Sequence, residues 1–217
     1  RDRSPSRGLG DVYKRQQQQI NPHFLYNTLD SIIWMAEGRK YEEVVLMTAS
    51  LARLLRQSIS NEDEVVPLAR EVEYAKGYLT IQKMRYKDKL EFEIDVEPSI
   101  LNIPLIKLVL QPIIENAIYH GLKYKESKGL LQVKGFMKDG NAVLQVIDNG
   151  VGMDEETLSH IYDKHKVNYH SNGVGVYNVQ KRLKLYYGEN YGITYESEKG
   201  VGTTATITIP GIQEESI

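Results

Sequence analysis

The 217-residue sequence has no cysteine. Disulfides, thiolate metal sites and cysteine nucleophiles are thereby excluded, and a reducing compartment fits. An excess of either charge is also missing. With a formal net charge of −2, neither nucleic acid nor anionic lipid is the expected main partner. No apolar run is long enough to span a bilayer, since the most hydrophobic stretch, IPLIKLVLQPII, is interrupted by Lys107 and Gln111. Signal peptide, internal repeat and low-complexity segment are all lacking. What is present, 41% hydrophobic and 26% charged residues, suffices for one or two compact domains of a soluble protein, expected in the cytoplasm.

Residues 1–16, RDRSPSRGLGDVYKRQ, lack apolar periodicity and read as a disordered or non-native leader, with a missing N-terminal region expected upstream. A helical pattern runs over 16–36, with Leu25, Leu29, Ile32, Ile33 and Ala36 on one stripe. After Gly38, a second amphipathic run covers 41–60. Two such helices make a hairpin that cannot bury both faces alone. Pairing with a second copy into a four-helix bundle is expected, and packing against the same chain is the alternative.

Pro67 reads as the first position of a third helix ending near Arg85. LEFEIDVE alternates like a strand, and 104–121 reads as one long apolar helix capped by Gly121. LLQVKGFM and AVLQVID form a hairpin around KDGN, 176–187 is a helix, and GITYES and TTATITIP are closing strands. The expected fold class is therefore α+β, a mixed sheet covered by helices. Alternating βαβ crossovers are missing and the glycines are not gathered in one G-x-G-x-x-G cluster at the first strand, so this is not a Rossmann unit. The expected divisions are a leader at 1–16, a helical hairpin at 17–62, a connecting helix at 63–87, a second domain at 88–211 and a tail at 212–217.

Four pieces of the second domain suit a nucleotide. In IIENAIYHG, Glu115, Asn116 and His120 are close together, and Asn116 shares a helical face with His120. An amide oxygen there is a sensible ligand for hydrated Mg²⁺. In VIDNGVGM, Asp148 ends an apolar strand and can accept a hydrogen bond from an exocyclic amine, while Gly150 and Gly152 allow close backbone approach. In NGVGV, Gly173 and Gly175 precede a helix and suit phosphates. In GVGTTATI, Thr203 opens the last strand at the edge of the same pocket. Each piece alone is also ordinary turn or capping chemistry.

In their order, the four pieces resemble the N box and the three G boxes of the GHKL ATPases over residues 103–210. The resemblance implies a Bergerat-fold α/β-sandwich site for ATP, with Asn116 on Mg²⁺, Asp148 on adenine and a lid at 153–172. Upstream, INPHFLYNTLDS and EVEYAKGYLTIQKMRY, together with LQPIIENAIYHG, resemble the LytS/YesM class of sensor histidine kinases. That resemblance implies His23 as phosphoacceptor, a homodimer, and a response regulator with an AraC-type or LytTR-type output. It also implies membrane anchoring through a preceding sensor region.

The residues themselves fit that reading. His23 points away from the apolar stripe, and Asn27 and Asp30 share its exposed face. A neutral imidazole is a nucleophile to which a phosphoryl group can be transferred. Two departures matter. Phe24, not an acid, follows His23, which leaves Asp30 or Glu115 as the possible base. Pro112 stands where hydrolytic members of the superfamily place a glutamate, which favours transfer over hydrolysis. The competing readings are a nucleotide-binding scaffold or regulator phosphatase without kinase activity, and a clamp-type ATPase. Lys164, Lys166 and Arg182 are cations that could serve phosphates, with a solvated lid face as the favoured reading. His160, His165 and His170 lie five apart, a spacing that does not align on a helix, so no metal site is expected. Pro22 is expected to bend the first helix at His23.

Overall fold

A computed structural model describes residues 20–59, 65–162 and 173–211. The expected leader and tail, and most of the expected lid with Lys164, Lys166, His165 and His170, lie outside the described residues. Helices α1 (Pro22–Glu37) and α2 (Tyr41–Ile59) form a hairpin. Pro22 starts α1 and does not bend it. Asn21 is the cap, its Oδ1 accepting from the His23 N–H at 3.0 Å. A proline at the first helical position gives up an N–H that has no partner in the helix anyway.

The buried face of α1 differs from the expected stripe. Phe24, Thr28 and Met35 are buried, whereas Leu29 and Ile33 are 42% and 56% exposed. The Thr28 hydroxyl donates to the Phe24 carbonyl at 2.8 Å, so this polar residue enters the core with its hydrogen bond made. On α2, Met47, Leu51 and Leu54 turn inward.

The hairpin packs on α3 (Leu68–Tyr86), which follows the short strand β1 (Val65–Pro67). Pro67 is thus the residue before the helix and not its first position. The Phe24 and Tyr78 rings meet at 4.8 Å between centroids. Mid-helix Gly77 lets α2 come close, because a Cβ there would lie 3.2 Å from Leu54 Cδ1.

The second layer is a five-stranded mixed sheet. Its strands are β2 (Leu90–Val96), β4 (Gly129–Lys138), β5 (Asn141–Asp148), β6 (Gly192–Glu198) and β7 (Gly202–Pro210), in the order β2-β4-β5-β7-β6. Only the β2–β4 pair is parallel. Leu131, Val133, Leu144, Val146, Ala205 and Ile207 point to one face, where one continuous apolar cluster joins them to α3, α4 (Leu110–Asn116) and α6 (Gly173–Tyr187). The short helix α5 (Glu155–Ser159) belongs to the segment between β5 and α6.

The expected long helix over 104–121 is wrong at both ends. Pro104–Ile106 is strand β3, paired antiparallel with β1 in the register Val65↔Ile106 and Pro67↔Pro104. The helix starts at Leu110, and after Asn116 it widens into a π segment, Ala117–Leu122, so Gly121 lies inside it and caps nothing. Before α4, Leu108 has φ of 59°, a backbone state that costs a non-glycine residue energy. It is held by Glu71 of α3. The buried Glu71 carboxylate accepts from the N–H groups of Leu108, Val109 and Leu110 at 2.8, 3.1 and 2.9 Å. Burial pushes its carboxyl up, and the three N–H bonds and Arg182 oppose that rise.

Glu71→Ala leaves these N–H groups buried without an acceptor. We expect a loss of about 1–3 kcal/mol in urea unfolding, with faster hydrogen exchange at 108–110. Unchanged exchange there would contradict the capping role.

Candidate functional site

Where the apolar face of the sheet meets α4 there is a cavity of about 530 Å³. Its walls carry Asn116 and His120 from the helix, Asp148 from the end of β5, and Gly152, Tyr195 and Thr203 from the opposite side. The volume falls within the usual range for a small-molecule or cofactor site.

Asp148 is buried at a strand end, opposite Leu131 on one side and Thr203 on the other. The Gly150 N–H donates to its Oδ1 at 2.8 Å. Burial pushes the carboxyl up to about 6, against the pull of the Gly150 and Thr203 backbone and of Lys125. A desolvated acceptor of this kind selects a ligand donor, such as an exocyclic amine.

The position of Asp148 depends on an unusually close backbone approach. A Cβ on Gly150 would lie 2.3 Å from the Gly121 carbonyl oxygen, and the Val151 N–H donates to that oxygen at 3.0 Å. Gly152 has φ of 64°, and a Cβ there would meet the Glu198 carbonyl at 1.9 Å. The wide π turn carries the helix end to this contact, which only glycine permits.

Asn116 supplies the group best suited to a metal. Its Oδ1 is buried and, among the described residues, accepts no hydrogen bond. The Tyr195 hydroxyl is likewise buried without a hydrogen-bond partner among the described residues, and the Asn116 amide opposes the upward push that burial gives the phenol. An unsatisfied amide oxygen in a cavity wall is a good hard-cation ligand, so the residues present fit a Mg²⁺ ion. Among the described residues no group of three or more His, Asp or Glu side chains could hold a metal by itself. His120 keeps an exposed edge at the mouth, yet burial, and secondarily Lys123, hold its pKa below the ordinary histidine value.

The structure brings Asn116, His120, Asp148, Gly152 and Thr203 together around this cavity, with Gly150 just behind Asp148. Gly173 and Gly175 do not precede the helix; they lie in the first turn of α6. A Cβ on Gly175 would sit 3.4 Å from Pro112 Cβ, so this glycine packs α6 against α4. Arg182 does not line this cavity, and its guanidinium donates to the carbonyls of Lys107 and Leu108. His160 lines the cavity beside α5.

Glu115 turns the other way. It lines a separate cavity of about 140 Å³ that also contains His23, Asn27 and Tyr119. Gln111 donates to the Glu115 carboxylate at 2.9 Å, and burial pushes that carboxyl up. His23 is exposed and Asn27 half-buried, with Asn27 Nδ2 3.0 Å from His23 Nδ1. Asp30 is exposed on α1. Sequence reasoning missed Tyr119, whose hydroxyl also contacts His23 Nδ1. The available signal was its place four residues after Glu115, on the same helical face.

Two family models match the chain. The histidine kinase model covers residues 12–90, and that of the histidine kinase-, DNA gyrase B-, and HSP90-like ATPases covers 102–213. The chain belongs to the histidine kinase family. This histidine-kinase chain is 36% identical over 197 residues to the sensor histidine kinase YesM of Bacillus subtilis, covering 91% of the chain and 33% of that protein. It is 34% identical over 179 residues to the sensor protein LytS of Oceanobacillus iheyensis, covering 80% of the chain and 30% of that protein. The chain thus spans about a third of the length of these curated relatives. The fold matches the histidine kinase domain of the blue-light activated histidine kinase of Erythrobacter litoralis with a TM-score of 0.51 and 16% identity, over 91% of this chain and 92% of that one.

A carboxyl raised by burial binds its proton more tightly folded than unfolded. Its contribution to stability is present below the ordinary aspartate range and is lost as pH rises through about 6. At pH 8 Asp148 is therefore ionised at a cost to the fold. Asp148→Asn should melt no lower than wild type at pH 8 while binding ATP at least about tenfold more weakly. Wild-type affinity should also weaken as pH falls through about 6. Calorimetry across this range checks both, and an unchanged affinity in the variant would contradict a ligand-binding role for Asp148.

Proposed function

We propose that the chain is the kinase core of a two-component sensor: it binds ATP with Mg²⁺, phosphorylates His23, and passes the phosphoryl group to an aspartate of a response regulator. The observation that carries this reading is the sharing of one helix by two cavities. Asn116 and His120 line the nucleotide cavity, and Glu115 and Tyr119 line the cavity of His23. Donor and acceptor of the phosphoryl group thus flank a single element.

In this reading Asp148 accepts the exocyclic amine of adenine, with Gly150, Gly152 and Thr203 shaping the ring pocket. His120 stands at the mouth, and Gly173 and Gly175 open α6 toward the phosphates. Asn116 Oδ1 holds Mg²⁺, which when bound supplies positive charge against the transferring phosphoryl oxygens. Asn27 orients His23, and Glu115 is the buried acid of the same cavity. Pro112 offers no acid–base group one turn before Asn116, which favours transfer to a protein nucleophile over water activation.

A homodimer through the hairpin completes the proposal. Trp34, Ile33, Val45 and Leu46 are 80%, 56%, 68% and 56% exposed, an apolar face that a second copy would cover. The divisions proposed are a phosphoacceptor hairpin at 17–62, a connecting helix at 63–87 and a nucleotide domain at 88–211. We further propose a regulator with an AraC-type or LytTR-type output, and a preceding sensor region anchored in the bacterial membrane. No described helix is long and apolar enough to cross a membrane.

Incubation with γ-labelled ATP should yield an acid-labile, alkali-stable phosphoprotein, and His23→Gln should lose the label while keeping ATP affinity. Equal labelling of both proteins excludes His23. ATP binding without labelling in either protein favours a nucleotide-binding scaffold or regulator phosphatase. For the dimer, Ile33→Asp combined with Val45→Asp should halve the mass measured by light scattering. A wild-type protein already at monomer mass would defeat that part of the proposal.

A further inference from the structure

Histidine is nucleophilic only at the ring nitrogen that carries no proton, so whatever holds the other nitrogen decides which atom reacts. Two groups hold His23 at Nδ1. Asn27 Nδ2 lies 3.0 Å away, one turn along α1, and the amide must turn end for end to bring its oxygen to an Nδ1–H. The Tyr119 hydroxyl reaches the same nitrogen from the π segment of the nucleotide domain, 96 residues further along the chain. The two rings stand edge to face, 5.8 Å between centroids at 63°. Lys123 Nζ lies 4.8 Å from the Tyr119 ring centroid, a cation–π contact that fixes the phenol. Among the described residues, Nε2 has no hydrogen-bond partner, and His23 as a residue is exposed.

The residue next to His23 takes no part. Phe24 is buried against Tyr78. Asp30 lies two turns along an exposed face. We infer that Tyr119 is the positioning residue for His23: with Asn27 it engages Nδ1, fixes the ring tautomer, and presents Nε2 as the nitrogen that takes the phosphoryl group. This rests on the assignment of His23 as phosphoacceptor.

In that tautomer Nδ1 carries the proton. Its acceptors are the phenol oxygen of Tyr119 and the carboxamide oxygen of Asn27, which the amide presents when turned end for end. The Nε2 lone pair forms the bond to the γ-phosphorus. The bond from that phosphorus to the β–γ bridging oxygen breaks, and its electron pair leaves on ADP. The Nδ1 proton of the resulting phosphoimidazolium then passes to solvent. A carboxylate at Nδ1 would orient the ring too, but it would also stabilise the doubly protonated form, which has no lone pair. A phenol and a carboxamide orient it without that charge.

The test uses the full chain with Tyr119→Phe, a change of one oxygen, and ¹⁵N spectra of the His23 ring without nucleotide. Wild type should show the Nδ1–H tautomer as the major form, and Tyr119→Phe should move the ring toward Nε2–H, the form histidine ordinarily prefers. With γ-labelled ATP, Tyr119→Phe should label about tenfold or more slowly at saturating nucleotide, with ATP affinity within about twofold of wild type. Tyr119→Gln, which keeps an oxygen acceptor, should recover part of the rate. An unchanged tautomer, or labelling at or above the wild-type rate, overturns the inference. The spectra decide it even if the wild-type chain labels poorly. Loss of label in His23→Gln with a wild-type Tyr119→Phe defeats only Tyr119, whereas label surviving in His23→Gln defeats the phosphoacceptor assignment itself.

Discussion

The molecule depends on how one short helix is pinned. Glu71, a buried carboxylate on α3, takes the N–H groups of Leu108, Val109 and Leu110, and thereby closes the start of α4 from outside. Arg182 of α6 donates to the carbonyls on the same strained turn. A helix of this length has little stability of its own, so tertiary partners must place it. Three helices are tied at one point, and every functional side chain on α4 inherits its position from that knot.

From this start α4 serves two cavities. The change of pitch at Ala117–Leu122 matters because it swings the end of the helix against the β5 loop without breaking it. Gly121 and Gly150 then touch backbone to backbone, and Asp148 is drawn under the helix, where water is scarce. The high carboxyl pKa follows from that geometry, as does the selectivity expected of it. Asn116 lines one cavity and Tyr119, three residues on and past the change of pitch, lines the other.

The glycine motifs were legible in the sequence because their need is local. A backbone that must pass another at less than side-chain distance has one residue type available, and Gly150 and Gly152 say so directly. The same holds for Asp148, since a carboxylate ending an apolar strand is visible in a window of a few residues. The start of α4 was not legible. Pro104, Leu105 and Ile106 have apolar character that resumes after Lys107 and runs into Leu110, and only the distant strand Val65–Pro67 converts them to sheet. The positive φ of Leu108 is likewise held from another element, by Glu71, so no local pattern announces it.

The hairpin shows a third kind of limit. Its stripe of Leu25, Leu29, Ile32, Ile33 and Ala36 has the right period, yet the buried arc of Phe24, Thr28 and Met35 is centred about 100° away, one residue's rotation. Thr28 hides that arc from any hydrophobicity count, because its hydroxyl is satisfied within the helix and needs no water. Two apolar surfaces therefore run along α1, and the weaker-looking one is covered within the same chain, by α2 and, at Phe24, by α3. Intrachain packing and pairing with a second copy do not compete for the same side chains. Covering Leu29, Ile33 and Trp34 leaves Phe24 against Tyr78 undisturbed, so a hairpin held by a partner still delivers His23 to Tyr119.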